Sequence, residues 1–197
     1  MLQAIQDSKS ARRYLKKYND MCLSAESLPT ANALDNAESD EAKTYKRLAS
    51  AILRLANRSW WENAPKSDEF DNIINFARMC KNNGIEISIL SSPFEEESIE
   101  GKLEWCRAHL EPLCIFSRFH IRRDKDTFAS SSSMLLDDRA KVCSNFKGNG
   151  HSVLFDSLWE ANALSVINNN DITHMYIDLD GVLVNTHKHI MQIMKSL

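Results

Sequence analysis

Short apolar, β-branched runs alternate with helical stretches from about residue 70 to residue 185, and this alternation restricts the fold more than any other feature. Strands that alternate with helices are joined by right-handed crossovers, and they form a mostly parallel sheet. Such a sheet is covered by helices on both faces. We therefore predict an α/β fold. The predicted strands are "IEISIL", "LCIFSRFHI", "SMLL", "HSVLF" and "HMYIDL".

Helical periodicity extends to both sides of this region. An apolar stripe over Tyr45–Ala56 predicts an amphipathic helix, and a weaker pattern over Leu2–Cys22 predicts another. The polar residues 24–41 between them predict a loop. Gly84 follows a further helical stretch and suits a left-handed helix end. A last helix is predicted from about Thr186.

Composition excludes several classes of protein. The net charge of −3 argues against a partner such as a nucleic-acid polymer, whose phosphates require a basic surface. The sequence has no apolar run of membrane-spanning length and no apolar signal peptide at its start, so we expect no membrane contact in this segment. The five cysteines are scattered without C-x-x-C or C-x5-R spacing, which indicates reduced thiols and a cytoplasmic location.

Polar side chains follow three of the predicted strands. Ser91 follows the first strand, and Asp137 with Asp138 follows the third. Asp178 and Asp180 follow the last strand. Because ligands bind outside the carboxyl ends of parallel strands, we expect these groups to lie together. Carboxylates, hydroxyls and backbone amides at such an edge can build a Mg²⁺ and phosphate site.

The segment "DLDGVLV" also contains a glycine that lets the backbone turn close to an anion. With its companion motifs it resembles the haloacid dehalogenase superfamily of phosphatases, and within it the 5′(3′)-deoxyribonucleotidase branch. "DLDGVL" is similar to the first motif of that family, and Ser91 in "LSSP", Lys125 in "RDK" and the pair Asp137–Asp138 match its later motifs. "GKLEWCRAHLEP" and "WWENAP" resemble segments of the nucleotidase branch. The resemblance implies a Rossmann-like parallel sheet with a small helical cap.

The order of these motifs differs from that of the family, in which the D-x-D strand opens the chain. This order predicts a circular permutant in which residues 60–185 form the phosphatase core. Residues 1–59 would then form a helical cap that residues 186–197 complete. A chain that continues beyond Leu197 is a compatible alternative. The permutation requires "HMYIDL" to be a central strand, between the strands that end at Ser91 and near Asp137.

The resemblance also implies a mechanism that uses two carboxylates. Asp178 would attack phosphorus as the nucleophile and form an aspartyl-phosphate. Asp180 would act as general acid for the leaving oxygen and then as general base for water. A Mg²⁺ cofactor would be held by Asp178, by Asp137 and by the backbone carbonyl of Asp180. Hydroxyls and a lysine would bind the phosphate, and these residues are Ser91, Ser92 and Lys125.

Several further residues are secondary candidates with more than one interpretation. Lys102 is expected on an exposed helix face, where solvation is the simpler role. Arg123 belongs to the charged run "RRDKD", where a surface role and a phosphate contact are equally open. Asp138 would orient the lysine or a metal-bound water. Trp60 and Trp61 could line a substrate pocket or pack within the fold.

These residues favour a Mg²⁺-dependent phosphomonoester hydrolase whose partner is a phosphorylated substrate. The aromatic residue that follows the first motif in the nucleotidase branch is replaced here by Thr186 or His187. We therefore expect phosphotyrosine, another aryl phosphate or a phosphoprotein as substrate, as in a bacterial effector phosphatase acting in a host cytosol. One alternative is a 5′(3′)-deoxyribonucleotidase acting on nucleoside monophosphates. The other is an inactive binding or scaffold domain that keeps the fold.

Overall fold

One parallel sheet organises the part of the protein that the structure describes. The structure is a computed structural model that describes residues 7–9, 12–13, 16 and 40–196. Its five strands lie in the order β2-β1-β5-β3-β4, and every pairing between them is parallel. The predicted α/β fold is thus confirmed. The strands are β1 (Glu86–Ser91), β2 (Phe116–Ile121), β3 (Ser133–Asp137), β4 (His151–Leu154) and β5 (His174–Ile177).

Helices connect and flank these strands. The amphipathic helix predicted after residue 41 is present as α1, and the helix before Gly84 ends as expected, with Gly84 at a φ of +83°. Two short 3-10 helices cover Glu111–Leu113 and Lys125–Phe128. The described α-helices are α1 (Asp40–Leu55), α2 (Arg58–Glu62), α3 (Phe70–Asn82), α4 (Glu96–His109), α5 (Ala140–Phe146), α6 (Trp159–Asn169) and α7 (Thr186–Ser196).

The strand "HMYI" lies at the centre of the sheet. On β5, Met175 is paired with Ile87 of β1 on one side and with Met134 of β3 on the other. The prediction of a central strand between those that end at Ser91 and at Asp137 is therefore confirmed. Strand order reverses at this point, which is where open parallel sheets bind their ligands.

Buried apolar side chains cover both faces of the sheet. Ile87 and Ile89 point to the larger core, whereas Leu90 belongs to a smaller cluster with Leu135 and Phe146. Successive strand residues point to opposite faces, so this division places an apolar layer on each side. All five residues of β3 are buried, as expected for a strand covered on both faces.

Two predicted segments differ from the structure or lie outside its description. β2 begins at Phe116 and not at Leu113, because a 3-10 turn precedes it and Cys114 adopts a left-handed conformation with φ of 52°. The helix predicted over Leu2–Cys22 is described only at residues 7–9, 12–13 and 16, of which all but residue 8 are helical, and most of the loop over 24–41 lies outside the described residues. The cap predicted for 1–59 and 186–197 is therefore described only in these few residues, in α1, in the start of α2 and in α7.

Candidate functional site

A tight turn after β5 positions the first two carboxylates. The backbone N–H of Asp178 still donates to the carbonyl of Leu136 on β3 at 2.9 Å, so this residue is held at the strand end. The chain then reverses at Gly181, whose φ of +77° suits a residue without a side chain. Asp178 is buried at the strand end, whereas Asp180 is 29% exposed and lies within the turn.

The end of β3 brings two further carboxylates to the same place. Carboxylate oxygens of Asp137, Asp138 and Asp178 all lie within 4.8 Å of one another. Asp138 also lies against the turn, since a methyl group on Gly181 would come within 2.6 Å of its Cγ. These three residues form a mostly buried acidic cluster that could hold a metal ion. We call it the acidic cluster below.

Lys125 joins two members of this cluster. Its Nζ donates to Asp137 Oδ2 and to Asp178 Oδ1, both at 2.6 Å, and the side chain is only 3% exposed. Burial alone lowers the pKa of Lys125, but attraction by Asp178 and Asp137 outweighs it and the net pKa is raised. The lysine therefore remains charged at neutral pH. Its contact with Asp178 agrees with its predicted place in the site.

One lysine does not compensate three carboxylates. Burial, and then the negative charge of Asp178, raise the pKa of Asp137 despite its bond to Lys125. Burial together with repulsion by Asp178 and Asp137 raises the pKa of Asp138 well above its usual range. A carboxylate whose charged form is disfavoured in this way is stabilised by any added cation. The acidic cluster thus has the electrostatic character of a cation site.

Lys102 occupies a different position from the one expected. The sequence places it on an exposed helix face, but the side chain is 1% exposed and points from α4 into the site. Its Nζ forms an ion pair with Asp180 and donates to the carbonyl of Ser92 at 2.6 Å. The ammonium also lies 4.6 Å from the centre of the Trp61 ring. The expectation of a solvated lysine is therefore wrong, because Asp180 and an indole face replace the water.

The two serines after β1 have different environments. Ser91 is fully buried, and its Oγ is 3.5 Å from Lys102 Nζ. Ser92 is partly exposed, and its Oγ accepts a hydrogen bond from Arg139 at 3.4 Å. Of these two predicted phosphate-binding residues, Ser92 lines a cavity beside the acidic cluster and Ser91 does not.

A cavity of about 520 Å³ opens beside the acidic cluster. Lys125 and Ser92 line it next to the carboxylates, and Arg123 lines it with its Nη2 donating to the carbonyl of Phe94 at 3.0 Å. Arg123 is exposed, as its predicted surface role requires, and it also lines the cavity beside the site. This cavity therefore lies directly beside Lys125, although that side chain is buried.

Sequence reasoning missed Arg139, which directly follows the acidic pair. Its backbone N–H donates to Asp137 Oδ1 at 2.9 Å, and its guanidinium Nε lies 3.8 Å from the same oxygen. The side chain is also part of the cavity wall. The available signal was its position in "LLDDR", where the residue after two strand-end carboxylates must lie near them.

The two tryptophans are packed within the fold. Both are buried; their rings meet edge to face at 4.6 Å, and Trp60 also packs on His189 with ring centres 4.5 Å apart. Both tryptophans therefore pack within the fold, while a role in substrate binding stays a prediction.

The buried thiols of Cys106 and Cys143 do not offer a nucleophile, since burial raises the pKa of Cys106 to about 12 and that of Cys143 to about 11.

Comparison with known proteins does not assign a family. The chain matches no protein-family model, and comparison with the curated proteins and with the solved structures gave no significant match. Among the described residues, no helix is both long enough and apolar enough to cross a membrane. The established findings are a Rossmann-like parallel sheet and an acidic cluster at the carboxyl ends of its central strands.

Proposed function

We propose that the protein is a Mg²⁺-dependent phosphomonoester hydrolase that works through an aspartyl-phosphate, like the haloacid dehalogenase phosphatases it resembles. One observation carries this proposal. The acidic cluster lies at the point where strand order reverses, and a buried lysine joins Asp137 to Asp178. A parallel sheet binds its substrates at that point, and phosphoryl transfer to a carboxylate needs compensating positive charge there.

The residues present fit a hard divalent cation. The cluster offers only carboxylate oxygens, which are the donors that Mg²⁺ prefers, and burial followed by repulsion from neighbouring carboxylates raises the pKa values of Asp137 and Asp138. Asp137, Asp138 and Asp178 would hold the ion, together with the backbone carbonyl of Asp180. When bound, Mg²⁺ would reduce the repulsion between a carboxylate and an approaching phosphate. Asp138 thus joins the expected ligands, in place of its predicted role as an orienting residue.

The protein side chains divide the reaction between them. The Asp178 carboxylate attacks phosphorus, the bond from phosphorus to the leaving oxygen breaks, and Asp180 gives that oxygen a proton. Asp180 then takes a proton from water, whose oxygen attacks phosphorus and releases inorganic phosphate and the Asp178 carboxylate. Lys125 neutralises charge at Asp178, and Lys102 holds Asp180 in position. Asp180 is the more exposed of the two carboxylates, which suits contact with a leaving group.

The strand order supports the proposed permutation. If β5 is counted first, the order β2-β1-β5-β3-β4 becomes 3-2-1-4-5, the usual order of a doubly wound sheet. The D-x-D strand is then the first strand, as it is in the family. The spatial arrangement therefore agrees with an unpermuted relative even though the motif order along the chain does not.

The packing of Trp60 and Trp61 favours an aryl phosphate over a nucleotide as substrate. A nucleotidase needs aromatic faces available for base stacking, and both indoles are buried. The same site argues against a scaffold without activity. Buried carboxylates with raised pKa values destabilise a fold, so a purely structural domain has no use for them. Phosphotyrosine and related aryl esters are thus the preferred substrate class.

The test is a phosphatase assay with p-nitrophenyl phosphate, with Mg²⁺ or with EDTA. We expect turnover that needs the metal, and we expect Asp178→Asn to lower kcat by at least about 1,000-fold, because an amide cannot form the acyl-phosphate. Asp171→Asn is the matched control, since Asp171 is exposed and precedes the opposite end of β5. Near-normal turnover by Asp178→Asn would show that the nucleophile is assigned wrongly.

A further inference from the structure

The cavity beside the acidic cluster has a basic lining. Besides Lys125, it includes Arg54 from α1, Arg123 from the segment after β2, and Arg139, which lies next to Asp137. Among the described residues, the acidic ones in this lining are Glu95 and Asp126. A phosphate bound at Asp178 would need only Lys125 and its immediate neighbours. The additional arginines therefore call for a second negative group on the substrate.

The arginines of this lining differ in how far they are already engaged. Arg139 lies near Asp137 and donates to Ser92, so its guanidinium is already partly engaged within the site. Arg123 donates to a backbone carbonyl and makes no ion pair within the described residues. Arg54 is exposed and likewise forms no ion pair with any residue that the structure describes. The charges of Arg54 and Arg123 are thus available to a ligand.

The basic surface continues beyond the cavity along α1. A second recess of about 600 Å³ shares Ser50 and Arg54 with the first and is also lined by Lys46 and Arg47. From Arg54 to Lys46 the helix rises about 12 Å at 1.5 Å per residue. An extended peptide covers that span with about four residues at roughly 3.3 Å each. A small phosphomonoester would not reach beyond the first cavity.

We propose that this basic groove, which begins at Arg123 and Arg139 and continues past Arg54 along α1, uses Arg54 and Arg123 to bind acidic side chains that flank the phosphorylated residue of a peptide substrate. The inference rests on the proposed phosphatase activity and specifies its substrate class. The first cavity of this groove is lined by four cationic and two acidic side chains among the described residues, so it selects for negative charge. Its length selects for a chain over a compact ester. The preferred substrate is thus a phosphotyrosine within an acidic segment.

Paired phosphotyrosine peptides test this inference. One peptide carries Glu on both sides of the phosphotyrosine, and the other carries Gln at the same positions. We expect a higher kcat/KM for the Glu peptide, by up to about fivefold for each exposed charge contact. Raising the salt concentration from about 0.1 M to about 1 M shortens the screening length from about 10 Å to about 3 Å and should remove the preference.

Substitution of Arg54 locates the effect. Arg54→Gln should reduce the Glu-to-Gln ratio of kcat/KM, and Arg54→Glu should invert it. For each variant, kcat/KM is measured for both peptides and expressed as a ratio, so a general loss of activity cancels. Arg78→Gln on α3 removes the same charge outside the groove, where Arg78 contacts Asn75, and should leave the ratio unchanged. Circular dichroism confirms that each variant is folded.

The possible failures are distinguishable. If p-nitrophenyl phosphate is hydrolysed but the two peptides react equally well, the acidic-peptide inference is overturned and the phosphatase activity stands. The inference is also overturned if the preference survives Arg54→Glu, or if a small bisphosphate is preferred to the Glu peptide. If no phosphate ester is hydrolysed, the proposed function fails and this inference fails with it.

Discussion

Gly181 links the backbone turn after β5 to the acidic cluster, and its substitution offers the sharpest test of that cluster. Gly181 has a φ of +77°, and a methyl group there would lie 2.6 Å from Asp138 Cγ and still closer to its Oδ2. Ordinary contact begins at 3.4 Å. In Gly181→Ala the Asp138 carboxyl must therefore move by at least about 0.8 Å, or the turn must open.

The expected effect of Gly181→Ala has two parts, a loss of stability and a loss of metal affinity. A side chain at positive φ costs about 1–2 kcal/mol, which lowers Tm by roughly 2–8 °C in a chain of this size. The displacement of Asp138 adds a loss of metal affinity, because Mg²⁺ requires near-ideal octahedral geometry at about 2.0–2.1 Å. Disturbing the surroundings of a metal ligand typically reduces affinity by about 10- to 100-fold. We expect a reduction in this range for Gly181→Ala.

The control for backbone strain is Gly84→Ala. Gly84 follows α3 at a φ of +83°, and a methyl group there would meet nothing within 4 Å. Both variants should thus lose similar stability in thermal unfolding followed by circular dichroism in EDTA. In isothermal titration with Mg²⁺, only Gly181→Ala should bind more weakly. Equal Mg²⁺ affinity of the two variants would refute the assignment of Asp138 to the metal site.

The remaining predictions concern pH, a lysine and the thiols. In EDTA, Asp138→Asn should become progressively more stable than the wild type as pH rises above 3.8, because the pKa of Asp138 is raised in the folded state and its ionisation is opposed only there. Urea unfolding at several pH values measures this difference in stability, and a difference that does not change with pH would contradict the prediction. Lys102→Met should lower kcat more for an alkyl phosphate than for p-nitrophenyl phosphate, because Asp180 is no longer held in position and a poor leaving group depends more on the general acid. Lys81→Met, on α3, is the control, and equal losses of kcat for both esters would count against the role of Lys102. Iodoacetamide at pH 7.5, which is about one unit below the usual thiol pKa, should leave Cys106 and Cys143 unmodified and activity intact. The reason is that burial raises the pKa of Cys106 to about 12 and that of Cys143 to about 11. Mass spectrometry and residual activity check this, and loss of activity on labelling of either residue would contradict it.

The sheet and the acidic cluster follow from local sequence. Runs such as "ISIL" and "SMLL" are too short and too apolar for exposed helices, so their strands could be predicted. The rule that ligands bind at the carboxyl ends of parallel strands then brings Asp137 and Asp178 together without any knowledge of the loops. Lys125 was predicted only through the family resemblance. Its bonds to these carboxylates span 12 and 53 residues of sequence.

The environment of Lys102 could not be predicted from the sequence. Helical periodicity shows which residues share a face, but it does not show what packs against that face. Lys102 is buried because Asp180, 78 residues away, and Trp61 meet its ammonium, and neither contact has a local signal. The same holds for Arg54, whose place in the cavity depends on how α1 docks. Long-range contacts thus account for most of what the sequence missed.

The central position of β5 explains why the site cannot exist in either half of the sheet alone. β2 pairs with β1, and β3 pairs with β4, but β1 and β3 are joined only through β5. Residues of the described chain before β5 therefore make two separate strand pairs. Ser91 belongs to one pair and Asp137 to the other, and Asp178 enters with the strand that joins them. The position of β5 thus completes the sheet and the acidic cluster together. The repulsion of Asp178 with Asp137 and Asp138 arises only when β5 lies between the two halves, where the hydrophobic core opposes it.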